Sequence, residues 1–316
     1  MSVRARVSDI VSETPQIRSL RLVREDGVPF TPYRAGAHVD VTGPTGVLRQ
    51  YSLCGPPDDP SSLLIAVKRE RQSRGGSEAL HHVVKGDLLE VGAPRNLLAV
   101  AEDADRHILV AGGIGITPLL SMAYELHRRG EEFQLYYFAR CREEAAFVEL
   151  LENRVGFRGR VELRLGVPRA EQPAVLAAPA AAATPGSHVY TCGPRGFMEQ
   201  VSAVFAPVIG TGHIHIENFT AQETDTSGDQ PFTVELDTGE KWEVPVGRSI
   251  LSVLEENGID VFKSCEEGIC GSCVSGVLEG VPAHRDNCLS AADKASGTQI
   301  ALCVSRAATG RLVIEL

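Results

Sequence analysis

Four cysteines near the C-terminal end of the sequence constrain this chain more than any other feature. Cys265, Cys270 and Cys273 form a C-x4-C-x2-C segment, and 29 residues separate Cys273 from Cys303. This spacing is typical of the ligands of a plant-type [2Fe–2S] cluster. A short loop can place three thiolates around two irons, while a distant segment supplies the fourth. We therefore predict a metal site made by these four cysteines, and one-electron chemistry.

The eight cysteines of the chain allow other interpretations: scattered core thiols, a zinc site or disulfides. Zinc ligands usually come as two close pairs, and the second pair is missing here. Disulfides fit poorly because the sequence begins with no apolar export segment. Cys288 is the one rival ligand, and the polar residues 284–287 before it predict a loop in which it is a spectator.

The pattern of apolar residues predicts a multidomain fold. Residues 1–103 alternate apolar and polar positions in short stretches broken by Gly and Pro, which predicts an antiparallel β-barrel. Residues 104–221 alternate strand and helix patterns, which indicates an α/β domain with a parallel sheet. Residues 222–230 are polar and typical of a linker. Residues 231–316 predict a compact α+β domain around the cysteine loop.

Individual elements follow from the same pattern. Strands are predicted at residues 47–53, 63–69, 87–91, 107–111, 133–139, 161–165, 189–192, 232–236 and 241–246. Helices are predicted at residues 78–84, 119–129, 143–151, 196–205 and 249–257, with Ser77 and Ser249 as N-caps of the first and last. The Ala-rich residues 177–183 are expected to form a surface insertion.

Composition excludes some classes of function. The net charge of −10 argues against nucleic acid as a partner and favours a protein with a basic docking surface. No apolar run approaches the ~20 residues that a membrane span needs. We expect a cytoplasmic protein, where thiols stay reduced.

A glycine-rich turn follows the predicted strand 107–111. Gly113, Gly115 and Thr117 lie in the sequence Gly112–Pro118, after which a helix is predicted. Strand, glycine turn and helix together allow backbone amides and a helix N-terminus to meet a pyrophosphate. Pro118 occupies the place of the third glycine in the usual dinucleotide motif. The alternative is a tight turn that binds nothing.

A second turn, Cys192-Gly193-Pro194, again joins a predicted strand to a helix. Ligands gather at the C-terminal ends of the strands of such sheets, so we expect the two turns to flank one crevice. Arg140 follows a third strand. It could reach a nucleotide phosphate or ribose, or it could be a solvated surface charge.

The first domain contains two weaker signals. Arg49, Tyr51 and Leu53 share one face of a predicted strand, and an aromatic ring near an arginine suits a planar, phosphorylated cofactor. The sequence Arg74-Gly75-Gly76-Ser77 precedes a predicted helix and is a candidate anion cradle. A tyrosine on a barrel strand is more often a core residue than a ligand.

Taken together, these motifs resemble those of the phthalate dioxygenase reductase family, especially its vanillate demethylase reductase branch. The resemblance covers essentially the full length, in the order flavin barrel, nicotinamide domain and plant-type ferredoxin domain. It implies FMN rather than FAD, with Arg49 and the Gly75–Ser77 turn, including Gly76, at the phosphate. Tyr51 and Ser52 would lie at the isoalloxazine, in the motif that ends with Leu53.

The resemblance also implies further cofactor contacts. Lys68 fits a position facing the flavin. Phe219 resembles the aromatic residue that shields the flavin where nicotinamide docks, although a strand-end core residue is an equal alternative. The nicotinamide nucleotide is assigned to Gly113, Gly115, Thr117, Arg140, Cys192, Gly193 and Pro194. No residue is assigned an acid–base role.

The function implied is a reductase component that passes electrons from NADH to FMN, to [2Fe–2S], and to a Rieske-type oxygenase acting on an aromatic acid. NADPH is possible, because Arg140 and Arg142 could hold a 2′-phosphate. The alternatives are a reductase that serves a haem monooxygenase and a general flavin-dependent electron-transfer protein. The chain itself lacks the Cys/His pairs of a Rieske centre, and His213 and His215 lack a third metal ligand.

Overall fold

The computed structural model describes residues 2–70, 75–221 and 225–316, with only the backbone of Ala291. The chain forms two compact units, Met1–Glu217 and Asn218–Leu316. Within the described residues, no helix is both long and apolar enough to span a bilayer.

The first unit begins with a seven-stranded antiparallel sheet. Its elements are β1 (Ser2–Thr14), β2 (Ile17–Arg24), β3 (Ala37–Thr42), β4 (Leu48–Ser52), β5 (Leu63–Lys68), α1 (Gly76–His82), β6 (Leu88–Gly92) and β7 (Arg95–Asn96). The strand order is β4-β3-β6-β1-β2-β5, and β7 pairs with β3. Leu53, directly after β4, bridges Ile65 of β5. This bridge joins the two ends of the order and closes the sheet into a barrel.

A parallel five-stranded sheet follows in the same unit. Its elements are β8 (Arg106–Gly112), α2 (Ile116–Arg129), β9 (Phe133–Ala139), α3 (Val148–Asn153), β10 (Val161–Leu165), α4 (Gln172–Ala181), β11 (Ser187–Cys192), α5 (Arg195–Ile209) and β12 (Ile214–Glu217). The strand order is β10-β9-β8-β11-β12. The order reverses between β8 and β11, so the C-terminal ends of these two strands form the switch point at which such sheets bind ligands.

Side chains of successive strand residues alternate between the two faces of the parallel sheet. Leu109 and Tyr137 pack with α2 and α3 on one face. Val110 and Tyr136 pack with α4 and α5 on the other. Helices therefore cover both faces, which explains the continuous apolar strands of the sequence.

The second unit is a small α+β domain. Its elements are β13 (Phe232–Leu236), β14 (Lys241–Val244), α6 (Ile250–Glu256), β15 (Val274–Glu279), β16 (Pro282–Ala283), α7 (Ala291–Ser296), β17 (Gln299–Ala301), β18 (Arg306–Ala307) and β19 (Arg311–Glu315). The main sheet has the order β14-β13-β19-β15-β17, and β16 pairs with β18. Ser249 caps α6, as predicted, because its side chain accepts a hydrogen bond from the amide of Ser252.

The predicted fold class is confirmed: an antiparallel barrel, a parallel α/β sheet and an α+β domain follow one another. The helix predicted over residues 143–151 is wrong in its first half. Phe147 has a left-handed backbone, with φ of 62°, and α3 begins after it. The amide of Phe147 donates to Glu13 of β1 at 3.1 Å. This contact with a distant strand interrupts the helix.

The expected surface insertion at residues 177–183 is also wrong. Most of this segment is the C-terminal part of α4, and Leu176 and Ala180 are buried in the core beneath the sheet. Alanine fits this position because α4 packs closely against α5. The Ala-rich composition signals helix packing rather than a loop.

Candidate cofactor sites

The barrel brings Arg49 and Gly76 together. A Cβ on Gly76 would lie 2.9 Å from Cγ of Arg49 and 3.2 Å from Cγ1 of Val47. Only glycine leaves room for the arginine side chain to cross the start of α1. The structure thus places a guanidinium beside the first turn of this helix, a combination that suits a phosphate group.

Gly75 caps α1 with a left-handed backbone, φ of 92°, which glycine adopts without strain. The predicted cap residue, Ser77, is wrong: it lies inside the helix, and its hydroxyl accepts a hydrogen bond from the amide of Glu70 at 3.2 Å. Lys68 ends β5 and pairs with Glu70 at 2.6 Å. Arg74 lies outside the described residues.

Tyr51, Ser52 and Leu53, at and directly after the end of β4, differ in their exposure to solvent. Tyr51 is half-buried, and burial raises the pKa of its phenol to about 12, so it is a neutral ring at physiological pH. Ser52 is buried at the end of the strand. The Leu53 side chain is completely buried in the barrel core and offers no surface to a ligand.

The two glycine turns of the α/β domain touch each other at the switch point. A Cβ on Gly115 would lie 2.7 Å from the amide nitrogen of Gly193 and still closer to the carbonyl of Cys192. A Cβ on Gly112 would lie 3.2 Å from Cδ of Pro194. The absence of side chains therefore lets the ends of β8 and β11 pack backbone against backbone, with two helix N-termini beside them.

Two other predicted nucleotide residues have clear local roles. Thr117 is buried, and its hydroxyl donates to the carbonyl of Ile114 at 3.0 Å, which fixes the turn before α2. Arg140 follows β9, its side chain is 79% exposed, and it pairs with Glu144 at 2.6 Å. Thr117 shapes the turn, whereas Arg140 is available at the edge of the sheet.

Glu217 is a site residue that the sequence patterns did not single out. It ends β12, where it stands opposite Cys192 of β11, and its carboxylate lies 3.4 Å from the Ser52 hydroxyl of the barrel. Burial raises the pKa of Glu217 to about 8. Burial and the nearby Glu217 raise the pKa of Cys192 well above its ordinary value. The three side chains join the flavin motif to the nicotinamide motif in largely uncharged form.

The cysteine loop surrounds the sulfur of Cys265 with backbone donors. The amides of Glu267, Ile269 and Cys270 lie 3.3, 3.5 and 3.4 Å from it, respectively. Gly268 has φ of 70°, and a Cβ there would lie 2.6 Å from the Val304 side chain. The turn that aims these amides at sulfur thus requires glycine, and amide donors to sulfur stabilise a reduced cluster.

All four predicted cysteine ligands are buried together in the second unit. Among the described residues, no three His, Cys, Asp or Glu side chains are grouped as ligands of one metal ion. The thiols interact in two pairs instead, Cys265 with Cys270 and Cys303 with Cys273; the interaction lowers the pKa of Cys270 and Cys273 and raises the pKa of Cys265 and Cys303. Two sulfurs for each of two irons fit a [2Fe–2S] cluster better than zinc.

Cys288 lies apart from both pairs in its hydrogen bonding. Its sulfur lies 3.5 Å from the carboxylate of Asp286, and burial raises the pKa of its thiol. A neighbouring carboxylate disfavours the thiolate form that binds metal. The role of Cys288 as a spectator stays a prediction.

His213 and His215, which the sequence does not predict to bind a metal, form an aromatic stack with His188. The rings of His188 and His213 are 4.3 Å apart at 20°, and those of His188 and His215 are 5.2 Å apart at 14°. Because nitrogen lone pairs lie in the ring planes, nearly parallel rings do not direct three nitrogens at one point. His215 also stacks on Tyr190. This group of rings therefore packs the N-terminal part of β11 against β12.

Comparison with known proteins identifies the family. The family model for the 2Fe-2S iron-sulfur cluster binding domain matches residues 234–308, a range that includes all four cysteines. The chain is 41% identical to a vanillate O-demethylase oxidoreductase of a Pseudomonas strain, over 95% of each protein. The solved structure of a phthalate dioxygenase reductase covers the whole chain, with 38% identity and a TM-score of 0.72; the chain covers 98% of it. The chain belongs to the phthalate dioxygenase reductase family.

The solved phthalate dioxygenase reductase is described as a modular structure for electron transfer from pyridine nucleotides to [2Fe–2S]. This family member is accordingly an oxidoreductase, as the sequence predicted. An intact type IV self-sufficient cytochrome P450 monooxygenase also matches, with a TM-score of 0.90 and 33% identity. That match covers 100% of the present chain but only 41% of the P450.

Proposed function

We propose that this chain is the reductase component of a Rieske-type oxygenase or demethylase system that acts on an aromatic acid. Electrons pass from NADH to FMN, then to [2Fe–2S], and then to a separate oxygenase. The observation that carries the proposal is the 41% sequence identity to a vanillate O-demethylase oxidoreductase, which extends over 95% of each protein. Groups suited to all three cofactors are present among the described residues, which supports the proposal.

In the barrel, we assign the flavin phosphate to Arg49 and to the amides of the Gly75–Ser77 turn, where the side chain and the glycine lie in contact. Tyr51 provides a neutral aromatic surface, and Ser52 a hydroxyl at its side. Lys68 lies at the end of the neighbouring strand. When bound, FMN supplies the conversion of one hydride into single electrons.

In the α/β domain, we assign the nucleotide to the crevice that the two touching glycine turns border, with Gly113, Gly115 and Gly193 as backbone contacts. Pro194 starts α5, and Arg140 stands at the edge of the crevice. Cys192 is buried, and the half-buried Glu217 accepts a hydrogen bond from Ser52 at 3.4 Å. Since hydride transfer depends on alignment and exclusion of water, these side chains position and shield rather than exchange protons.

Phe219 remains a proposed flavin shield. It lies in the second unit, directly after the Glu217-Asn218 sequence, and its side chain is 39% exposed. An exposed aromatic residue at this point in the chain is not a core residue. This accessibility favours the shielding role over the alternative that the sequence left open.

The domain limits proposed from the sequence are retained: residues 1–103 for flavin, 104–221 for the nucleotide, 222–230 for the linker and 231–316 for the cluster. Residues 222–224 of the linker lie outside the described part of the chain. We also propose a cytoplasmic location, because none of the eight cysteines is in a disulfide and reduced thiols persist there.

One observation favours a second candidate, a reductase for a haem monooxygenase. The matching part of the self-sufficient P450 has the higher TM-score of the two solved structures compared above. The chain would then deliver electrons to haem rather than to a Rieske centre. The cofactors and the internal order of electron transfer would be the same.

The test has two steps. First, the anaerobic protein is mixed with one equivalent of NADH, and the visible bands of the flavin and the cluster are followed while the released flavin is identified by mass. Loss of colour in both bands and a mass equal to FMN support the cofactor assignment. A flavin that bleaches while the cluster stays oxidised contradicts it.

Second, the reduced protein is mixed with a purified aromatic-acid Rieske oxygenase or with a purified P450. Product formation with the Rieske enzyme alone supports the first candidate, and formation with the P450 alone supports the second. The Cys303→Ser variant is the control, because it lacks a cluster ligand while the flavin site is unchanged. Turnover with NADPH in place of NADH tests the nucleotide preference.

A further inference from the structure

The loop before Cys288 holds the segment that joins the two units. The side-chain amide of Asn287 donates to the backbone carbonyl of Thr220 at 3.2 Å. The backbone amide of Asn287 donates to Gly268 in the cysteine loop at 2.7 Å. One residue therefore connects Thr220, two residues before the linker, to the loop that carries three cluster ligands.

The end of the linker is fixed by the same loop. Arg285 forms two hydrogen bonds with the carboxylate of Asp229, one of them 3.0 Å long. Arg306 donates to the carbonyl of Gln230 at 3.1 Å and is buried. The Asp229 carboxylate is only 4% exposed, and the pair with Arg285 lowers its pKa. This attachment is stronger than the exposed one at Thr220.

The loop that makes both contacts is itself rigid. Asp286, between Arg285 and Asn287, is completely buried. Its carboxylate accepts hydrogen bonds from the amide of Leu289 at 2.9 Å and the hydroxyl of Ser305 at 3.2 Å. These buried hydrogen bonds hold the loop, so Asn287 presents its side-chain amide from a fixed position.

The position of the first attachment sets the length of free chain. From Glu217, the last residue of β12, to Thr220 is three residues, at most about 10 Å when extended. If the Thr220 contact is lost, the next attachment among the described residues is Asp229. The chain from Glu217 to that attachment is twelve residues, about 40 Å when extended. Effective concentration falls roughly as the −3/2 power of tether length, so a tether up to four times as long lowers it by up to about eightfold.

We propose that Asn287 is a positioning residue for electron transfer, which shortens the tether between the flavin-binding unit and the cluster domain by holding Thr220. The inference rests on the function proposed above. Asn287 does not contact a reacting atom in this proposal. It acts through the linker, by limiting how far the cluster can move from the unit that carries the flavin.

The test is stopped-flow reduction of the full-length holoprotein by NADH, with flavin and cluster bands followed separately. In Asn287→Ala we expect cluster reduction to slow by more than twofold and by up to about eightfold, while flavin reduction keeps its wild-type rate. The matched control is Asn257→Ala, which removes the same kind of bond, from a side-chain amide to the Val253 carbonyl, at the end of α6. That control has no hydrogen bond to the described residues of the linker and should transfer electrons normally.

The midpoint potential of the cluster separates tethering from a change in driving force. We expect the same potential in wild type and Asn287→Ala, because the backbone bond to Gly268 remains. Cluster reduction within a factor of two of wild type, or slower reduction accompanied by a shifted potential, overturns the inference. Failure of the wild-type cluster to accept electrons would instead refute the proposed function, so the two failures are distinguishable.

Discussion

Replacing Gly115 by alanine should separate the two glycine turns that we assign to the nucleotide. A Cβ at this position would lie 2.1 Å from the carbonyl oxygen of Cys192 and 2.3 Å from its carbonyl carbon. Both are backbone atoms, so no side chain can rotate away. Gly115 has φ of −62°, which alanine adopts freely. The cost is therefore steric, and the turn after β11 must move by more than about 1 Å to reach the ordinary contact distance of about 3.5 Å.

The steric overlap should affect both the stability of the unit and the rate of flavin reduction. Overpacking of a closely packed contact costs about 1–3 kcal/mol, which lowers the melting temperature of a unit this size by about 2–12 °C. A displacement of about 1 Å in a substrate-positioning element can cost about 100-fold in rate. We thus expect a folded variant whose flavin is reduced by NADH about 100-fold more slowly than in wild type.

The assay is anaerobic stopped-flow reduction of flavin at several NADH concentrations, with melting temperature measured in parallel. The matched control is Gly212→Ala, where a Cβ meets no atom within 4 Å. It should match wild type in both measurements. A Gly115→Ala variant that reduces its flavin at the wild-type rate would refute the assignment of this crevice to the nucleotide.

Three further predictions concern the other sites. Arg49→Ala should weaken FMN binding by about 1.5–3 kcal/mol, the value of a charge-assisted contact, as measured by flavin release; unchanged retention contradicts the phosphate assignment. Cys303→Ser should abolish the visible absorption of the cluster while Cys288→Ser keeps it, and the reverse result would make Cys288 the fourth ligand. The pKa of Glu217 is about 8 in the folded chain, raised by burial from 4.5. Wild type should therefore lose stability relative to Glu217→Gln as the pH rises from about 4.5 to about 8, and a pH-independent difference in melting temperature would contradict this.

Much of the fold could be predicted because its elements depend on local sequence. The limits of β9, β10 and β13 agree with prediction to the residue, since each is a short run of apolar or alternating residues bounded by polar turns. Ser249 was identified as a cap from its position alone. The errors at Phe147 and in α4 have a different origin, because contacts with Glu13 and with the neighbouring helix decide those segments.

The residues of the candidate sites also fall into those that local sequence predicts and those that distant contacts bring together. Cysteine spacing and the glycine turns were visible because metal and phosphate binding require particular residue types close together in sequence. Glu217 carries no local motif, and its contact with Ser52 spans 165 positions of sequence. The Asn287 contact with Thr220 is equally invisible, since the two residues are 67 positions apart.

The sequence alone determined the order of the three folds and predicted the cluster ligands and two phosphate-binding turns, because spacing and apolar periodicity act over a few residues. Tertiary structure decided which of these motifs meet. It packed Gly115 against Cys192, laid Arg49 across Gly76 and brought Glu217 to Ser52. Such contacts depend on strand order and on the close approach of backbones, which no run of neighbouring residues specifies.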